Sequence, residues 1–440
     1  MVTLLGLLLR LTDYPLAPAL MDNSDEVQFA WAGLNLIEHG DAYTWSYFPV
    51  YPHVGVVTAF GTSFPMVHHW LDHPPGFALL LGGFLWLTGE RGMFAIDAAH
   101  IRVLPVLFSA LTVPLIYLLL RRAAGAWPAL VATALLATAP AAILFGREAE
   151  PESVMTPLLL VALLLADRLA AGSDSRWRVV ALFAICLVEP FFKVTGIAVA
   201  AIVGVNLLGA GRWRVAAVCL GAGVAGVAAY ALYGWLVDWQ LFLRVIAEQA
   251  ANRKGILSGF EFITAPAGIN RPLHDGWWAL GWVGIGLLLF LGRRSRLPQL
   301  VAWPATAYAL LVMVFAGQEL TSHYGWYRIM ALPLVYAAAG LLAWRAIESP
   351  APARLAALLV LGGAAATNWW LAPPGGMWVA NPVFLVVVLA LLIVPSALLA
   401  LPRFARYAGW ARAGYALFFG VLLLGNISTS LRLAELYNNF

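Results

Sequence analysis

Charged residues are scarce in this chain, and lysine is almost absent. Only 11% of the 440 residues are charged, which is less than half of the roughly 25% found in soluble domains. The only lysines are Lys193 and Lys254. The two cysteines, Cys186 and Cys219, lie in apolar runs whose spacing indicates neither a disulfide nor a metal site. No soluble basic segment remains to bind nucleic acid, so we exclude nucleic acid as a partner.

The sequence motifs of several enzyme classes are also missing. The patterns GxxxxGKS/T, HExxH and CxxC do not occur, which leaves nucleotide hydrolysis and zinc catalysis without support. The apolar start, 2–9, has no basic region before it and no small-residue cleavage site after it. We therefore expect no cleavable signal peptide.

Long apolar segments dominate what is present, with 62% hydrophobic residues and a mean hydropathy of +0.83. They predict an all-α polytopic integral membrane protein, because a spanning helix needs about 20 apolar residues. Arginines in short loops mark the cytoplasmic side, and their alternation gives about thirteen spans, with the N-terminus inside and the C-terminus outside. The predicted spans are 2–20, 101–120, 127–145, 153–170, 178–192, 194–210, 214–236, 276–292, 298–316, 329–346, 355–372, 381–401 and 413–430.

One apolar run, 76–88, is left out of this count. Treating it as a span would place Arg121 and Arg122 outside and would invert every later loop. Its length, about 13 residues, suits an interfacial or re-entrant segment. We therefore predict an interfacial helix within a first outer loop, 21–100, with Pro75 near the first turn of that helix.

Several charged side chains fall on the outer side of this topology, against the usual bias. Lys193 lies at the tip of a tight apolar hairpin, where a lone ammonium is costly without a partner, so we interpret it as functional. Bound phosphate would explain such a cation, whereas lipid headgroups reached by long side chains are the alternative. We favour the headgroup explanation for the cations of the outer loop 237–275, which are Arg244, Arg253, Lys254 and Arg271.

An acidic pair, Asp25-Glu26, opens the first outer loop. The residues have a structural explanation as the start of an interfacial helix, with Ser24 or Asp25 as its N-cap. Carboxylates can also act as general bases toward a hydroxyl, and cations can stabilise a departing phosphate. Outer aromatic residues would offer platforms for sugar rings or form the belt at the membrane interface. Together these groups suit the transfer of a group from a lipid phosphate to an acceptor outside.

Six short motifs resemble, in the same order, those of the GT-C glycosyltransferases, which include protein O-mannosyltransferases and the transferases that add aminoarabinose to lipid A. The motifs are Asp25–Trp31 with Glu38–Asp41, His73–Phe77, Ala98–Arg122, Ala137–Glu152, Phe192–Gly196 and His323–Arg328 with Leu332-Pro333. The resemblance covers about 15–345. It implies a GT-C-like catalytic transmembrane module over 1–345, followed by C-terminal transmembrane helices over 346–440.

The resemblance also implies a function. It is an inverting transfer of a hexose or pentose from a polyprenyl-phosphate donor to an extracytoplasmic glycan, lipid or protein, at the plasma (inner) membrane. Asp25 would be the general base and Glu26 would support it. The remaining candidates are His73, Arg147, Lys193 and Arg328 for the donor phosphate, and Glu150, Glu152, His323, Tyr324 and Tyr327 for substrate.

Two departures from the family pattern affect these expectations. Gln28 stands where the aminoarabinose transferases commonly have arginine, and no large soluble domain follows the last predicted span. Asp25 and Glu26 could ligate Mg²⁺ or Mn²⁺ through oxygen, but the outer cations can neutralise the phosphate, so we expect no obligatory metal or other cofactor. Two other functions remain open: a flippase for a lipid-linked sugar, which would need charges at mid-membrane, and a non-catalytic assembly subunit with the same fold.

Overall fold

In the computed structural model the chain is mostly helical. The structure describes residues 1–172, 175–251, 257–264, 275–292, 295–316, 325–348, 394 and 408–438. The helices of the first half are α1 (Val2–Leu11), α2 (Asp25–His39), α3 (Pro75–Thr88), α4 (Ala98–Ala124), α5 (Ala126–Thr138), α6 (Pro140–Phe145), α7 (Pro151–Ala170), α8 (Arg176–Phe192) and α9 (Ile197–Gly209). Those that follow are α10 (Trp213–Ala251), α11 (Leu257–Thr264), α12 (Gly276–Leu291), α13 (Trp303–Ala316), α14 (Leu332–Glu348), α15 (Ala408–Leu431) and α16 (Leu433–Asn438).

Four stretches within the described residues form helices that are long and apolar enough to cross a membrane: Ala98–Ala124, Pro151–Ala170, Trp213–Ala251 and Arg412–Leu431. Shorter apolar helices lie before and between them in the chain, and many of their large hydrophobic side chains are exposed, as lipid contact requires. The count of thirteen spans stays a prediction. Its segments 355–372 and, apart from Val394, 381–401 fall outside the described residues, as do Arg253, Lys254 and Arg271.

Three predicted segments differ from the helices observed. The first helix ends at Leu11 instead of 20, before a stretch that contains Pro15 and Pro18. The third is broken at Ala139, because Pro140 has no N–H group with which to continue the helix. Helix α10 continues into the predicted loop 237–275, although Asp238 leaves the helical conformation and its side chain accepts a hydrogen bond from the Leu241 N–H.

The expectation of an all-α protein is wrong in the segment 21–100, the predicted first outer loop. This loop holds a three-stranded antiparallel sheet of order β1-β3-β2, formed by β1 (Thr44–Trp45), β2 (Gly55–Ala59) and β3 (Thr62–Val67). Strands β2 and β3 meet at Phe60-Gly61, where both residues have positive φ. That geometry suits a tight hairpin turn. Valine and threonine in β2 and β3 favour the extended conformation.

Helices α2 and α3 pair beneath this sheet. A side chain at Gly33 would overlap the Ala78 carbonyl, and one at Gly82 would overlap the Gly33 backbone, so these glycines allow the close contact. The helix predicted over 76–88 is present as α3, and its interfacial placement stays a prediction. Buried residues of α2, α3 and the sheet form one hydrophobic core, and a larger core fills the helical bundle. The start of α2 therefore lies on a rigid support against the bundle.

Candidate active site

A cluster of ionisable side chains lies where α2 and α7 begin and α8 ends. Asp25 is the first residue of α2, Glu152 lies in the first turn of α7, and Lys193 directly follows α8. Glu150 precedes α7, and Tyr327 belongs to the 3-10 turn Gly325–Arg328 before α14. The structure thus brings together five of the residues that the sequence predicts for the site.

Lys193 is the centre of this cluster. Its Nζ donates to Glu152 Oε1 at 2.6 Å and lies 4.0 Å from Glu150 Oε2. The same ammonium lies 4.6 Å from the centre of the Tyr327 ring. The side chain is only 7% exposed. Burial lowers the pKa of Lys193, but the opposing effect of Glu152, Tyr327 and Glu150 is larger and raises it. Lys193 therefore stays charged and has Glu152 as a buried partner, and its predicted role toward phosphate stays a prediction.

The turn after Lys193 is set by close packing. Its backbone N–H donates to the Glu189 carbonyl at 3.2 Å, and its own carbonyl accepts from the Gly196 N–H at 2.7 Å. A side chain at Gly196 would overlap the backbone of Glu189. Only glycine lets the turn fold back onto α8, which explains why a glycine stands three residues after Lys193. The turn in this way fixes the position from which the ammonium projects.

Asp25 is half-buried, and its carboxylate makes no hydrogen bond or ion pair within the described part of the chain. Burial raises its pKa to about 6, Lys193 lowers it, and the negative charges of Glu152 and Glu26 raise it. A carboxylate with this pKa is a stronger base than an ordinary aspartate and is still mostly ionised at neutral pH. Asp25 therefore has the protonation behaviour that a general base needs.

Glu26 faces the other way, although it is the next residue. It is fully buried and accepts hydrogen bonds from Arg102 Nε at 2.9 Å and from the Ala149 N–H at 2.9 Å. Arg102 Nη2 bonds its second oxygen at 2.5 Å, and Arg102 Nη1 donates to the Pro18 carbonyl at 2.6 Å. This bidentate pair ties α2 to α4 and to the loop before α7. Both carboxylate oxygens are occupied by structural partners.

Asn23 links the acidic residues around Asp25. Its amide donates to Glu148 Oε2 at 3.0 Å and to Glu150 Oε1 at 2.8 Å, and its carbonyl oxygen accepts from the Asp25 N–H at 3.2 Å. Burial raises the pKa values of Glu148 and Glu150 well above the ordinary range. Sequence reasoning did not identify Asn23, and its position two residues before Asp25 was the only available signal.

The loop before α3 contributes His73 and Asp72. Burial, together with Lys193, lowers the pKa of His73 to about 3, so its imidazole is neutral and packs against Phe29 and Trp70. Asp72 accepts from the Tyr51 hydroxyl at 2.7 Å, and burial raises the pKa of Asp72 to about 7. No role in the site was predicted for Asp72. Its position directly before His73 was the sequence feature that could have placed Asp72 beside the site.

Arg147 does not bond to the residues of this cluster. Its guanidinium is fully buried among backbone carbonyls. It donates to the carbonyls of Leu9, Arg10, Thr12 and Ala17 at 2.5–3.2 Å. These are the last residues of α1 and the turns after it. Every guanidinium nitrogen of Arg147 therefore holds the chain between α1 and α2.

Arg328 is also directed elsewhere. Its guanidinium lies 5.0 Å from the centre of the Trp278 ring and 5.8 Å from that of Phe262, and it is attracted by Asp275. Burial lowers its pKa to about 10. His323 and Tyr324, predicted for substrate, fall outside the described residues.

The carboxylates of the site could in principle bind a metal ion. Among the described residues, no group of three or more His, Cys, Asp or Glu side chains is arranged to hold one. Lys193 supplies the positive charge at the place where the carboxylates converge.

Comparison with known proteins agrees with the motifs. Residues 72–235 match the family model described as dolichyl-phosphate-mannose-protein mannosyltransferase. No curated protein matches the chain in a sequence search.

Two solved structures have a similar fold. ArnT from Cupriavidus metallidurans bound to undecaprenyl phosphate is 17% identical, with a TM-score of 0.59, over 99% of this chain and 76% of that one. ArnT from the same organism in the apo state is 18% identical, with a TM-score of 0.53, over 93% of this chain and 72% of that one. The resemblance to polyprenyl-phosphate-dependent GT-C glycosyltransferases is confirmed, and the chain has their fold.

Proposed function

We propose that the chain is a membrane glycosyltransferase that moves a sugar from a polyprenyl phosphate to an extracytoplasmic acceptor. The main support is the contrast between two neighbouring carboxylates at the start of α2. Both oxygens of Glu26 accept hydrogen bonds, whereas the carboxylate of Asp25 accepts none within the described part of the chain. A buried carboxylate with a raised pKa, set beside a cation, is a frequent mark of a catalytic site. The charged groups gather at the ends of helices instead of at mid-span, which favours transfer over transport.

The proposed reaction is a single displacement at the anomeric carbon. Asp25 takes the proton of the acceptor hydroxyl as the acceptor oxygen bonds to that carbon. The bond from the carbon to the phosphate oxygen breaks, and its electron pair leaves with the polyprenyl phosphate. Attack from the face opposite the phosphate inverts the configuration. A phosphate leaves without protonation, so one carboxylate base is enough.

Lys193 and His73 are the residues we propose for the donor phosphate. The ammonium of Lys193 is charged and buried, which strengthens its attraction for an anion. The neutral imidazole of His73 can donate one hydrogen bond to a phosphate oxygen. Glu150, Glu152 and Tyr327, which surround the ammonium, are then placed for hydroxyl groups of the sugar or acceptor.

The geometry changes the roles that the sequence suggested for three residues. Glu26 and Arg147 are bonded to Arg102 and to the carbonyls after α1, so we propose that they hold the loop in place and do not touch substrate. Arg328, set among Trp278 and Phe262, is a phosphate ligand only for a second phosphate group or after its side chain moves.

The names of similar proteins support a polyprenyl phosphate donor. The ArnT structure contains undecaprenyl phosphate, and the matching family is named for dolichyl-phosphate mannose. We place the chain in the plasma membrane, and the arginine distribution supports an N-terminus inside and a site outside. The sugar is a hexose or pentose, and the acceptor is a glycan, a lipid or a protein.

The test uses the purified full chain with a panel of polyprenyl-phosphate sugars and follows release of polyprenyl phosphate. We expect release with at least one donor, and we expect Asp25→Asn to lower the rate at least about 100-fold, the usual contribution of a general base. The variant should elute and melt like the wild type, because the amide replaces a charge that is costly to bury. Full activity of Asp25→Asn would disprove the base assignment.

A further inference from the structure

The same four residues, Arg-Trp-Arg-Val, occur at the start of two neighbouring helices. They are Arg176–Val179, where α8 begins, and Arg212–Val215, where α10 begins. The two helices pack against each other. The repeated residues therefore form two similar half-sites side by side, with a guanidinium, an indole and an apolar side chain in each.

A groove lies between these half-sites. Its volume is about 370 Å³, and it is lined by Arg176, Arg212, Leu169, Val179, Val180 and Val215. The first arginine and the valine of each copy face it, whereas the second arginines, Arg178 and Arg214, do not line it. This volume is within the range of small-molecule sites, about 300–1,000 Å³.

The groove is far from the candidate active site. Helix α7 begins beside Glu152 and ends beside Leu169, so at 1.5 Å per residue the two ends are about 26 Å apart. That distance is close to the thickness of the hydrocarbon core, about 30 Å. The groove therefore lies at the opposite membrane surface from Asp25.

The indoles of the repeat indicate the depth of the groove in the bilayer. Trp177 is 60% exposed and Trp213 is 62% exposed, and the following arginines lie over their rings at 5.5 Å and 5.2 Å. Exposed tryptophans of membrane proteins concentrate at the level of the lipid headgroups. Arg176 and Arg212, each next to a tryptophan, lie at that level, and the valines continue toward the bilayer centre.

Asp167, two residues before Leu169 of the groove, is already shared by two arginines that do not line the groove. Asp167 accepts from Arg122 at 3.1 Å and from Arg296 at 2.9 Å, so these two arginines share one carboxylate. Arg176 has no carboxylate partner within the described part of the chain and is exposed. A guanidinium is shaped to bind phosphate oxygens.

We propose that this groove binds an anionic phospholipid. The lipid phosphate lies between Arg176 and Arg212, and an acyl chain lies along Leu169, Val179, Val180 and Val215. The charges select an anionic headgroup, and the apolar walls explain why the ligand is a lipid and not free phosphate. Basic pockets between transmembrane helices bind anionic headgroups in this way.

The experiment titrates delipidated protein with phosphatidylglycerol or phosphatidylcholine of the same acyl chains and counts bound lipid by native mass spectrometry. We expect tighter binding of phosphatidylglycerol by the wild type. Each arginine near an anionic lipid contributes about fivefold in affinity. The variant R176Q/R212Q should therefore bind phosphatidylglycerol at least about tenfold more weakly.

The matched control is R178Q/R214Q, which removes the same charge from the same turns but not from the groove. It should retain phosphatidylglycerol binding within about twofold. Equal losses in the two double variants, or an unchanged R176Q/R212Q, would overturn the site. Binding of inorganic phosphate as tightly as phosphatidylglycerol would overturn the assignment to a lipid. The single variant R176Q, at an exposed side chain, gives the same test with a smaller loss if the double variant does not fold.

Discussion

Lys193 and Glu152 form an ion pair that is almost completely removed from solvent. The Nζ–Oε1 distance is 2.6 Å, and the side chains are 7% and 0% exposed. The pair joins the end of α8 to the start of α7. Breaking such a pair from one side leaves an uncompensated buried charge, which is more costly than removing both charges.

This asymmetry separates folding from function at Lys193. We expect Lys193→Met to lower the free energy of unfolding by about 3–5 kcal/mol, because it leaves Glu152 buried without a counter-charge. Lys193→Met/Glu152→Gln should recover most of that loss but should not restore transfer, because the proposed phosphate ligand is still absent. Thermal melting and polyprenyl phosphate release measure the two effects. Transfer by the double variant at the wild-type rate would contradict the role given to Lys193.

Substitution of Glu26 should lower the stability of the protein, because this residue has a structural role. Glu26→Gln leaves the buried guanidinium of Arg102 without a carboxylate, so we expect a loss of about 3 kcal/mol or more in the free energy of unfolding. Glu38→Gln is the matched control, since Glu38 is half-buried on the same helix and accepts only one long hydrogen bond, from Gly92 N–H at 3.3 Å. It should change stability by less than about 0.5 kcal/mol. A stable Glu26→Gln protein without activity would instead place Glu26 in the catalytic machinery.

Helix positions near the site could be predicted from the sequence because they depend on local composition. The apolar runs and arginine positions predicted 153–170, 178–192 and 194–210, and the structure has α7, α8 and α9 within a few residues of them. Lys193 was recognisable because a lone ammonium in a tight apolar hairpin needs a partner. The hairpin at Phe60-Gly61 was not predicted, because its strands are too short to give a clear alternating pattern.

The roles of the arginines could not be predicted, because they depend on contacts between distant parts of the chain. Arg102 and Glu26 are 76 residues apart, and Arg147 and Leu9 are 138 apart. In the sequence, an arginine that binds backbone carbonyls looks the same as one that binds phosphate. Both can also lie on the same predicted side of the membrane. Only the packing of the loop between α1 and α2 distinguishes them.

Transfer should depend on pH through Asp25. Burial raises its pKa from 3.8 to about 6, so the base becomes protonated as the pH falls through about 6. We expect kcat/KM to be flat at neutral pH and to drop about tenfold per pH unit below that value. Glu152 raises the pKa of Asp25, so in Glu152→Gln the same limb, measured on residual activity, should move to lower pH.

Asp72 is the control for this assignment, since burial raises its pKa to about 7. Asp72→Asn can still accept the hydrogen bond from Tyr51. The limb near pH 6 should persist in that variant. Its disappearance there, with Asp25 intact, would show that Asp72 controls the profile.

The tight turn after Lys193 gives a test of geometry without any change of charge. Gly196→Ala places a methyl group against the backbone of Glu189, so either the turn or the end of α8 must move. Overpacking of this kind costs about 1–3 kcal/mol. The displaced ammonium should also bind the donor less well, which would raise KM for the lipid-linked sugar. Gly209→Ala is the matched control, because nothing lies within 4 Å of a side chain there. Equal melting temperatures and equal KM values for both alanine variants would mean that the turn tolerates the methyl group and that Gly196 does not position Lys193.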